Sequence, residues 1–483
     1  MTFKPSSSFA GNVLKLATGS VFAQGIAVLI TPILTRFFLP EAFGVAELFI
    51  SISAILIISS CLRYERAIML PLTDDDAANI FCASIVFTII ISMFAFCIVF
   101  FADEWIAAIF NAPGLKPYLK LLPLAILTGG VLLAVNFWNS RTKEFGLLSV
   151  SRVLNSFSNQ SSRLLGGLVG YVNSGTLIIS TILGQFLAVL FLVLRTWKKD
   201  ATLLKASVSP KRMILEIKRY KKFPIFDIWG SLLNTASWQL PAFFLAAFFS
   251  PVIVGYYALG TAVIRLPMNI LGSSIAQVFY QKASDTRHAG NMPYVVENVF
   301  TRLVAIGLFP MLLLCIIGQD LFSLVFGKNW AEAGLYSQIL APWMFFTFIS
   351  SPLSTLFSVY ERQGSALIMQ SLIFITRILS LYIGGIMGNV YIALGLFSLS
   401  GVIVYGVLSI WNMKLANIST LVFLRVTLKY LLYSLPIGII LVSLKYWINV
   451  SSLIISLTSI VSLIVYFVWI IKKDNQLNKF LYI

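Results

Sequence analysis

Two arginines lie on one face of a short polar segment that apolar runs flank on both sides. Four residues of "SRVLNSFSNQSSR" recur at intervals of 4, 3 and 4 positions: Arg152, Ser156, Asn159 and Arg163. This spacing places them on one side of an α-helix. An arginine near the centre of a bilayer costs roughly 2.5–3.5 kcal/mol even on lenient insertion scales. We therefore expect this stripe to face protein or water, where a planar guanidinium can bind anionic oxygens in a bidentate manner.

Arginines also fall near the middle of two later apolar runs. Arg265 lies in "GTAVIRLPMNILGSS", where Asn269 follows one helical turn later, and Arg377 lies in "LIMQSLIFITRILSLYIGG". Carboxylates are fewer at this depth, and we find only Glu47 and Asp227. Because the arginines outnumber these carboxylates, we favour an anion-binding cavity. Structural ion pairing between helices stays the alternative interpretation.

Amides and carboxylates complete the set of candidate residues. Asp227 and Asn234 are seven residues apart on one helical face of the seventh apolar run. We expect Asn234, like Asn159 and Asn269, to bind substrate. Glu47 and Asp227 are candidates for coupling or gating, since carboxylates inside a membrane often carry protons.

Membrane-spanning helices must position these residues. Of the 483 residues, 59% are hydrophobic and 11% are charged, against about 25% charged in ordinary soluble domains. Apolar runs long enough to cross a hydrocarbon core of ~30 Å occur fourteen times. They cover approximately residues 14–36, 42–62, 79–101, 119–140, 147–171, 175–197, 224–249, 252–275, 300–319, 336–360, 364–387, 390–412, 428–448 and 451–471. We predict an all-α polytopic membrane protein.

The placement of charge indicates orientation. The net charge is +17, and with a cytoplasmic N-terminus most lysines and arginines fall on cytoplasmic segments, as the positive-inside rule requires. The densest cluster runs from Lys198 to Lys222 and would lie against anionic lipid head groups. We expect membrane lipids and no nucleic acid as partners, with both termini in the cytoplasm.

The residue types that hold metals or cofactors are sparse. The four cysteines fall within apolar runs without zinc-type spacing, His288 is the single histidine, and no GxxxxGK[ST] loop occurs. We therefore expect no metal and no cofactor.

The chain contains an internal repeat. "FFLPEAFGVAEL" at residues 37–48 and "FFSPVIVGYYAL" at residues 248–259 share FF, P, G and L at an offset of 211, and Gly19-Ser20 recurs as Gly230-Ser231. We predict two parallel-repeat six-helix bundles, residues 1–205 and 206–415, followed by two additional helices and a cytoplasmic tail in residues 416–483. Transporters built from parallel repeats alternate access between their bundles.

Several segments resemble a known family. "TPILTRFFLPEAFGVAELF" followed by "LRYERAIMLP", and "KKFPIFDIWGSLLNTASWQLPAFFLAAFFSPVIVGYYALGTAVIRLP" followed by "SSIAQVFYQKAS", are similar to bacterial O-antigen repeat-unit flippases. These belong to the polysaccharide transporters of the multidrug/oligosaccharidyl-lipid/polysaccharide exporter (MOP) superfamily. The triplet Arg63-Tyr64-Glu65 is the most telling match. The resemblance extends over about residues 10–412.

The resemblance implies a function and a location. The protein would move undecaprenyl-diphosphate-linked oligosaccharide from the cytoplasmic to the periplasmic leaflet of the inner membrane, for O-antigen or another surface polysaccharide. A polysaccharide polymerase and a chain-length regulator would be possible partners. Arg63 and Glu65, at the end of the second run, join Glu47 and Asp227 as candidates for coupling or gating. Their position suits helix anchoring or a gate salt bridge, and we prefer helix anchoring. Arg163, Arg265 and Arg377 would compensate the diphosphate, with Arg152 nearer the entrance.

Other functions stay open. A multidrug/cation antiporter of the same superfamily predicts an acidic cavity, whereas this sequence predicts a cationic one. A peptidoglycan-precursor flippase is a closer rival. A membrane-embedded polymerase or ligase would need a larger external catalytic loop than the short loops found here, so we do not expect an enzyme.

Overall fold

A computed structural model describes residues 7–272, 275–276, 279–280, 282–283, 291–448 and 450–473, with side chains from residue 18 onward except those of residues 270 and 271. Within these ranges the chain is α-helical, with short 3-10 and π turns and no strand. The prediction of an all-α membrane protein is confirmed. His288 lies outside the described residues.

The chain packs into two compact units, Met1–Gly255 and Tyr256–Ile483. The predicted division into residues 1–205, 206–415 and 416–483 stays a prediction. The helices that begin in the first unit are α1 (Ser7–Phe37), α2 (Pro40–Ser60), α3 (Tyr64–Ala67), α4 (Asp74–Ile109), α5 (Lys116–Leu119), α6 (Leu122–Arg141), α7 (Phe145–Val169), α8 (Ser174–Ser207), α9 (Pro210–Arg219), α10 (Ile228–Phe248) and α11 (Pro251–Ile264). Those that begin in the second are α12 (Met292–Phe326), α13 (Ala331–Ser350), α14 (Leu356–Val359), α15 (Gln363–Ile386), α16 (Val390–Leu415), α17 (Thr420–Tyr446) and α18 (Ser452–Lys473).

Eleven helical segments in the described part are long and apolar enough to cross a membrane. Three further helices, α7, α10 and the shorter α11, coincide with the remaining predicted runs. Helix α7 falls outside the apolar set because one of its faces is polar. Large apolar side chains such as Phe100, Leu168 and Ile464 are exposed, as expected of a surface that faces lipid. The chain is a multi-pass membrane protein.

In the first unit, α7 packs between α1 and α8, while α6 packs on α4 and α8. Small residues let the helices approach closely: a Cβ on Gly130 would lie 2.3 Å from the Ser60 Oγ. Trp138 is fully buried in the core beside Phe81. Its indole Nε1 donates a hydrogen bond of 2.8 Å to Asp200, so the ring is both packed and satisfied.

In the second unit, the last two helices pack on α12. The ring of Tyr466 stacks on Phe309 at a centroid distance of 4.3 Å, and its hydroxyl donates to the Ala305 carbonyl at 3.0 Å. Near the opposite end of these helices, the Lys445 Nζ lies 2.8 Å from the Asp320 carboxylate. These contacts hold α17 and α18 against the helices that precede them.

Candidate functional site

The polar face of α7 lies against protein, as its spacing predicts. The Arg152 Nη1 donates to the Ser20 Oγ at 2.6 Å, and the Ser156 Oγ donates to the Ala23 carbonyl at 2.6 Å. Both partners belong to α1. On the other side of α7, Leu165 is exposed. Helix α7 is therefore amphipathic. On its polar face Ser156, Asn159 and Arg163 are partly buried, and Arg152 is exposed.

Arg163 lies where α2, α7 and α8 meet. Its Nη2 donates to the Thr181 Oγ1 at 2.9 Å, and the Glu47 carboxylate acts on the guanidinium electrostatically. The Arg163 Nε is buried and has no hydrogen-bond partner among the described residues. The same holds for the Asn159 Oδ1, one turn earlier on the same face. A donor and an acceptor on neighbouring turns are thus left open to another group.

Arg265 lies at the end of α11, where the helix changes geometry. Its backbone N–H still bonds to the Thr261 carbonyl at 3.0 Å, but Pro267 follows, and a π-type turn spans Met268–Gly272. A proline has no N–H to donate, which explains the irregular backbone. Asn269 is exposed in that turn. The sequence predicts the polar pair, whereas only the structure shows that it marks a helix break.

Arg377 is enclosed by aromatic rings on α13 and α16. Its guanidinium lies 5.6 Å from the Trp343 ring centroid, 5.7 Å from that of Phe397 and 6.0 Å from that of Tyr405. The Nη2 also donates to the Tyr405 hydroxyl at 3.0 Å, and the residue is 4% exposed. Arg265 is close enough to act on it by electrostatic repulsion. Sequence reasoning missed these rings. They exclude water from the guanidinium and attract its positive charge.

Three of the predicted coupling or gating residues meet in one ion-pair cluster. The Arg63 Nε lies 2.9 Å from the Asp227 Oδ2, and its Nη1 lies 3.0 Å from the Glu65 Oε1. Arg66, which sequence reasoning did not single out, lies 3.3 Å from the Asp227 Oδ1. Arg63 and Glu65 are buried. Burial raises the pKa of Glu65, and the positive charge of Arg63 opposes that increase.

The turn that carries this cluster is locally strained and held by Tyr64. Leu62 and Arg63 have φ of 49° and 65°, the left-handed region that residues with a Cβ rarely adopt. The Tyr64 hydroxyl donates to the Ile217 carbonyl on α9 at 3.0 Å, and its ring stacks on Phe87 at 5.4 Å. The Arg63-Tyr64-Glu65 triplet therefore joins the end of α2 to α4, α9 and the start of α10.

Asn234 lies two turns along α10 from Asp227 and is exposed. The same helix packs on α2, where the Ser51 Oγ donates to the Gln239 Oε1 at 3.3 Å. The structure thus places Asn234 on the helix of the ion-pair cluster. No group of three or more His, Cys, Asp or Glu that could hold a metal occurs in the part of the chain described.

Solved structures share this fold. The chain is similar to the lipid II flippase MurJ in an inward closed conformation, with a TM-score of 0.71 and 13% identity over 95% of this chain and 99% of that one. The chain is also similar to a multidrug resistance MATE family transporter of the MOP superfamily in an inward-facing conformation. The TM-score is 0.64 and the identity is 16%, over 83% of this chain and 95% of that one. A third similar structure is a MOP superfamily transporter from Pyrococcus furiosus that is described as having a binding pocket of reverse polarity. Its TM-score is 0.55 and its identity 14%, over 84% of this chain and 96% of that one.

At these identities the likeness shows the fold alone. No curated protein matches the chain in sequence. A family model described as polysaccharide biosynthesis protein matches residues 33–335, which is more than half of the chain. The resemblance seen in the sequence is therefore confirmed, and the chain belongs to this family of polysaccharide biosynthesis proteins.

Proposed function

We propose that this protein moves lipid-linked oligosaccharide repeat units, carried on undecaprenyl diphosphate, across the bacterial inner membrane by alternating access. The product would serve O-antigen or another surface polysaccharide. Membership of a polysaccharide biosynthesis family and the fold of flippases and transporters support this assignment. In this proposal the chain transports and performs no catalysis, and a polymerase and a chain-length regulator act on what it delivers.

The open polar atoms beside Arg163 carry the proposal. The buried Arg163 Nε and Asn159 Oδ1 have no partner in the described part of the chain, and both lie on α7, which coincides with the predicted run 147–171. An unpaired buried donor or acceptor costs about 1–3 kcal/mol. A diphosphate would accept from the guanidinium, and a sugar hydroxyl would donate to the amide oxygen. The substrate would thus offset the cost of leaving these groups open without it.

Arg265 and Arg377 are the candidate cationic residues of the second unit. Their positive charges repel each other, so an anion close to both arginines would be attracted by both. Because aromatic rings surround Arg377, we assign it a long-range electrostatic role, while Arg265 is the group that would touch the substrate. Asn269 and Asn234, both exposed, would bind sugar hydroxyls.

The ion-pair cluster of Arg63, Glu65 and Asp227 would serve as the coupling or gating element. Breaking the ion pairs of Asp227 with Arg63 and Arg66 would release the start of α10 from the turn after α2. Coupling to a proton or sodium gradient would act through this release. Glu47, which interacts with Arg163, would link the arrival of an anionic substrate to α2.

A peptidoglycan-precursor flippase is the second candidate, favoured by the structural similarity to the lipid II flippase. Both functions need a cationic site for a polyprenyl diphosphate. They differ in the glycan and in which lipid intermediate accumulates when the protein is lost. A cation antiporter would need acidic groups where this chain carries arginines.

The test is deletion of the gene in its own host, followed by mass spectrometry of lipid-linked intermediates and gel analysis of surface glycan. We expect single oligosaccharide repeat units to accumulate and surface polymer to disappear. Rescue with Arg163→Gln should fail, whereas Arg163→Lys should restore part of the polymer. Arg425→Gln, which removes an exposed arginine from α17, is the matched control. Accumulation of peptidoglycan precursor would favour the second candidate, and full rescue by Arg163→Gln would refute the assignment of this arginine.

A further inference from the structure

An apolar groove runs along the end of α8 that we predict to be cytoplasmic. Its volume is about 350 Å³, and α4, α6 and α8 form its walls. The principal apolar wall residues are Phe81, Ile85, Val135, Val193, Trp197 and Leu204. Thr196 is a polar wall residue, and its hydroxyl already accepts a hydrogen bond of 2.9 Å from Asn139. The wall therefore suits a hydrocarbon chain.

The groove follows α8 from within the predicted apolar run 175–197 into the basic segment that begins at Lys198. Val193 and Lys205 mark its two ends on α8, twelve residues apart, which corresponds to about 18 Å at the rise of an α-helix. Val193 lies four residues inside the predicted end of the run at residue 197, and Lys205 lies eight residues beyond it. A chain lying in the groove would thus begin at the cytoplasmic edge of the hydrocarbon core and extend to the head-group side of the membrane.

Helix α9 independently marks the head-group level. It begins five residues after Lys205, and its exposed Ile214 and Leu215 stand between basic residues on either side. A short helix with exposed apolar side chains and a basic polar face is typical of the membrane interface. Trp197, half exposed on the groove wall at the end of the apolar run, is a residue type enriched where the hydrocarbon core meets the head groups.

Lys205 supplies a positive charge at the rim. Its Nζ lies 5.5 Å from the Trp197 ring centroid and has no carboxylate partner in the described residues. The two carboxylates nearest in sequence are engaged elsewhere, since Asp200 accepts from Trp138 and Glu216 pairs with Arg219. An exposed, unpaired ammonium group above an apolar groove is complementary to an anionic head group with an acyl chain.

We propose that this groove binds one anionic phospholipid, with its acyl chain along Phe81, Ile85 and Val193 and its phosphate on Lys205. The site lies wholly within the first unit. It does not depend on what the protein transports, because none of its residues belongs to the predicted substrate-binding set.

The experiment is native mass spectrometry of the full-length protein in detergent, titrated with phosphatidylglycerol or with phosphatidylcholine of the same acyl chains. We expect phosphatidylglycerol to bind more tightly. Lys205→Gln should weaken its binding about five-fold, the effect of one lysine near an anionic surface, while Lys205→Arg should retain it. Lys414→Gln, which removes another exposed lysine in the second unit, should leave binding unchanged.

Val193→Trp provides a second test, because it fills the groove without removing charge and should weaken binding of both lipids. Equal affinity of the wild type and Lys205→Gln for phosphatidylglycerol would overturn the proposal. So would equal weakening by Lys205→Gln and Lys414→Gln, which would indicate a non-specific charge effect. Displacement of phosphatidylglycerol by a lower concentration of polyprenyl diphosphate would also overturn it, because the groove would then belong to the substrate.

Discussion

Gly44 and Gly255 occupy the same position in the two copies of the repeated segment, and each packs against the other copy. A Cβ on Gly44 would lie 1.7 Å from the Pro251 carbonyl oxygen, and a Cβ on Gly255 would lie 1.9 Å from that of Pro40. The first turn of α11 therefore lies with its backbone in contact with the backbone of α2. Only glycine permits this approach, which explains why the repeat retains a glycine four residues after its proline.

We predict that Gly44→Ala destabilises the protein by about 1–3 kcal/mol, the usual effect of overpacking. The contact is with backbone and cannot be relieved by rotation of a side chain. Thermal unfolding in detergent measures the effect. Gly395→Ala is the control, since a Cβ there meets nothing within 4 Å. Equal melting temperatures for the two variants would contradict this backbone contact.

Removal of Arg63 should be strongly destabilising. Arg63→Gln leaves the buried Glu65 carboxylate without its cation, and breaking a buried ion pair costs about 3–5 kcal/mol. Adding Glu65→Gln to the Arg63→Gln variant should restore part of the lost stability, because the buried anion is then absent. Thermal melts of the two single variants and the double variant measure this coupling. Strictly additive changes would show that the pair is not coupled.

Stability should depend on pH through Glu65. Burial raises its pKa in the folded protein, so the folded state binds the proton more tightly than the unfolded state. The contribution of Glu65 is greatest below the pKa of an unfolded glutamate, about 4.3, and is lost as the pH rises through the folded pKa. The difference in melting temperature between the wild type and Glu65→Gln should fall over that interval. A difference in melting temperature that grows with pH would contradict this prediction.

Loss of the Tyr405 hydroxyl should destabilise the aromatic enclosure of Arg377. Tyr405→Phe keeps the ring but removes a buried hydrogen bond to a charged group, typically about 1.5–3 kcal/mol. Tyr391→Phe is the matched control, because its hydroxyl also bonds a charged group, Glu332, but the residue is 44% exposed. We expect the first variant to melt at a clearly lower temperature than the second. Equal melting would argue that the rings alone support Arg377.

The sequence by itself determined the helices and the direction of their polar faces. The spacing of Arg152, Ser156 and Arg163 predicts a stripe turned away from lipid because helix periodicity is a local property and the cost of a charge in hydrocarbon is large. The repeated proline and glycine were also visible in the sequence. Their meaning, a direct contact between the two copies, was not.

Only the tertiary structure decided which distant groups meet. Arg63 and Asp227 are 164 residues apart, and the ring of Tyr405 lies 28 residues from Arg377, so no local spacing connects them. Glu47 was predicted as a candidate for coupling or gating, and packing brings it near Arg163. Such pairs depend on how separate helices pack, and that is set by the shapes of many side chains acting together. A one-dimensional pattern shows that a buried charge needs a partner, but it does not identify that partner.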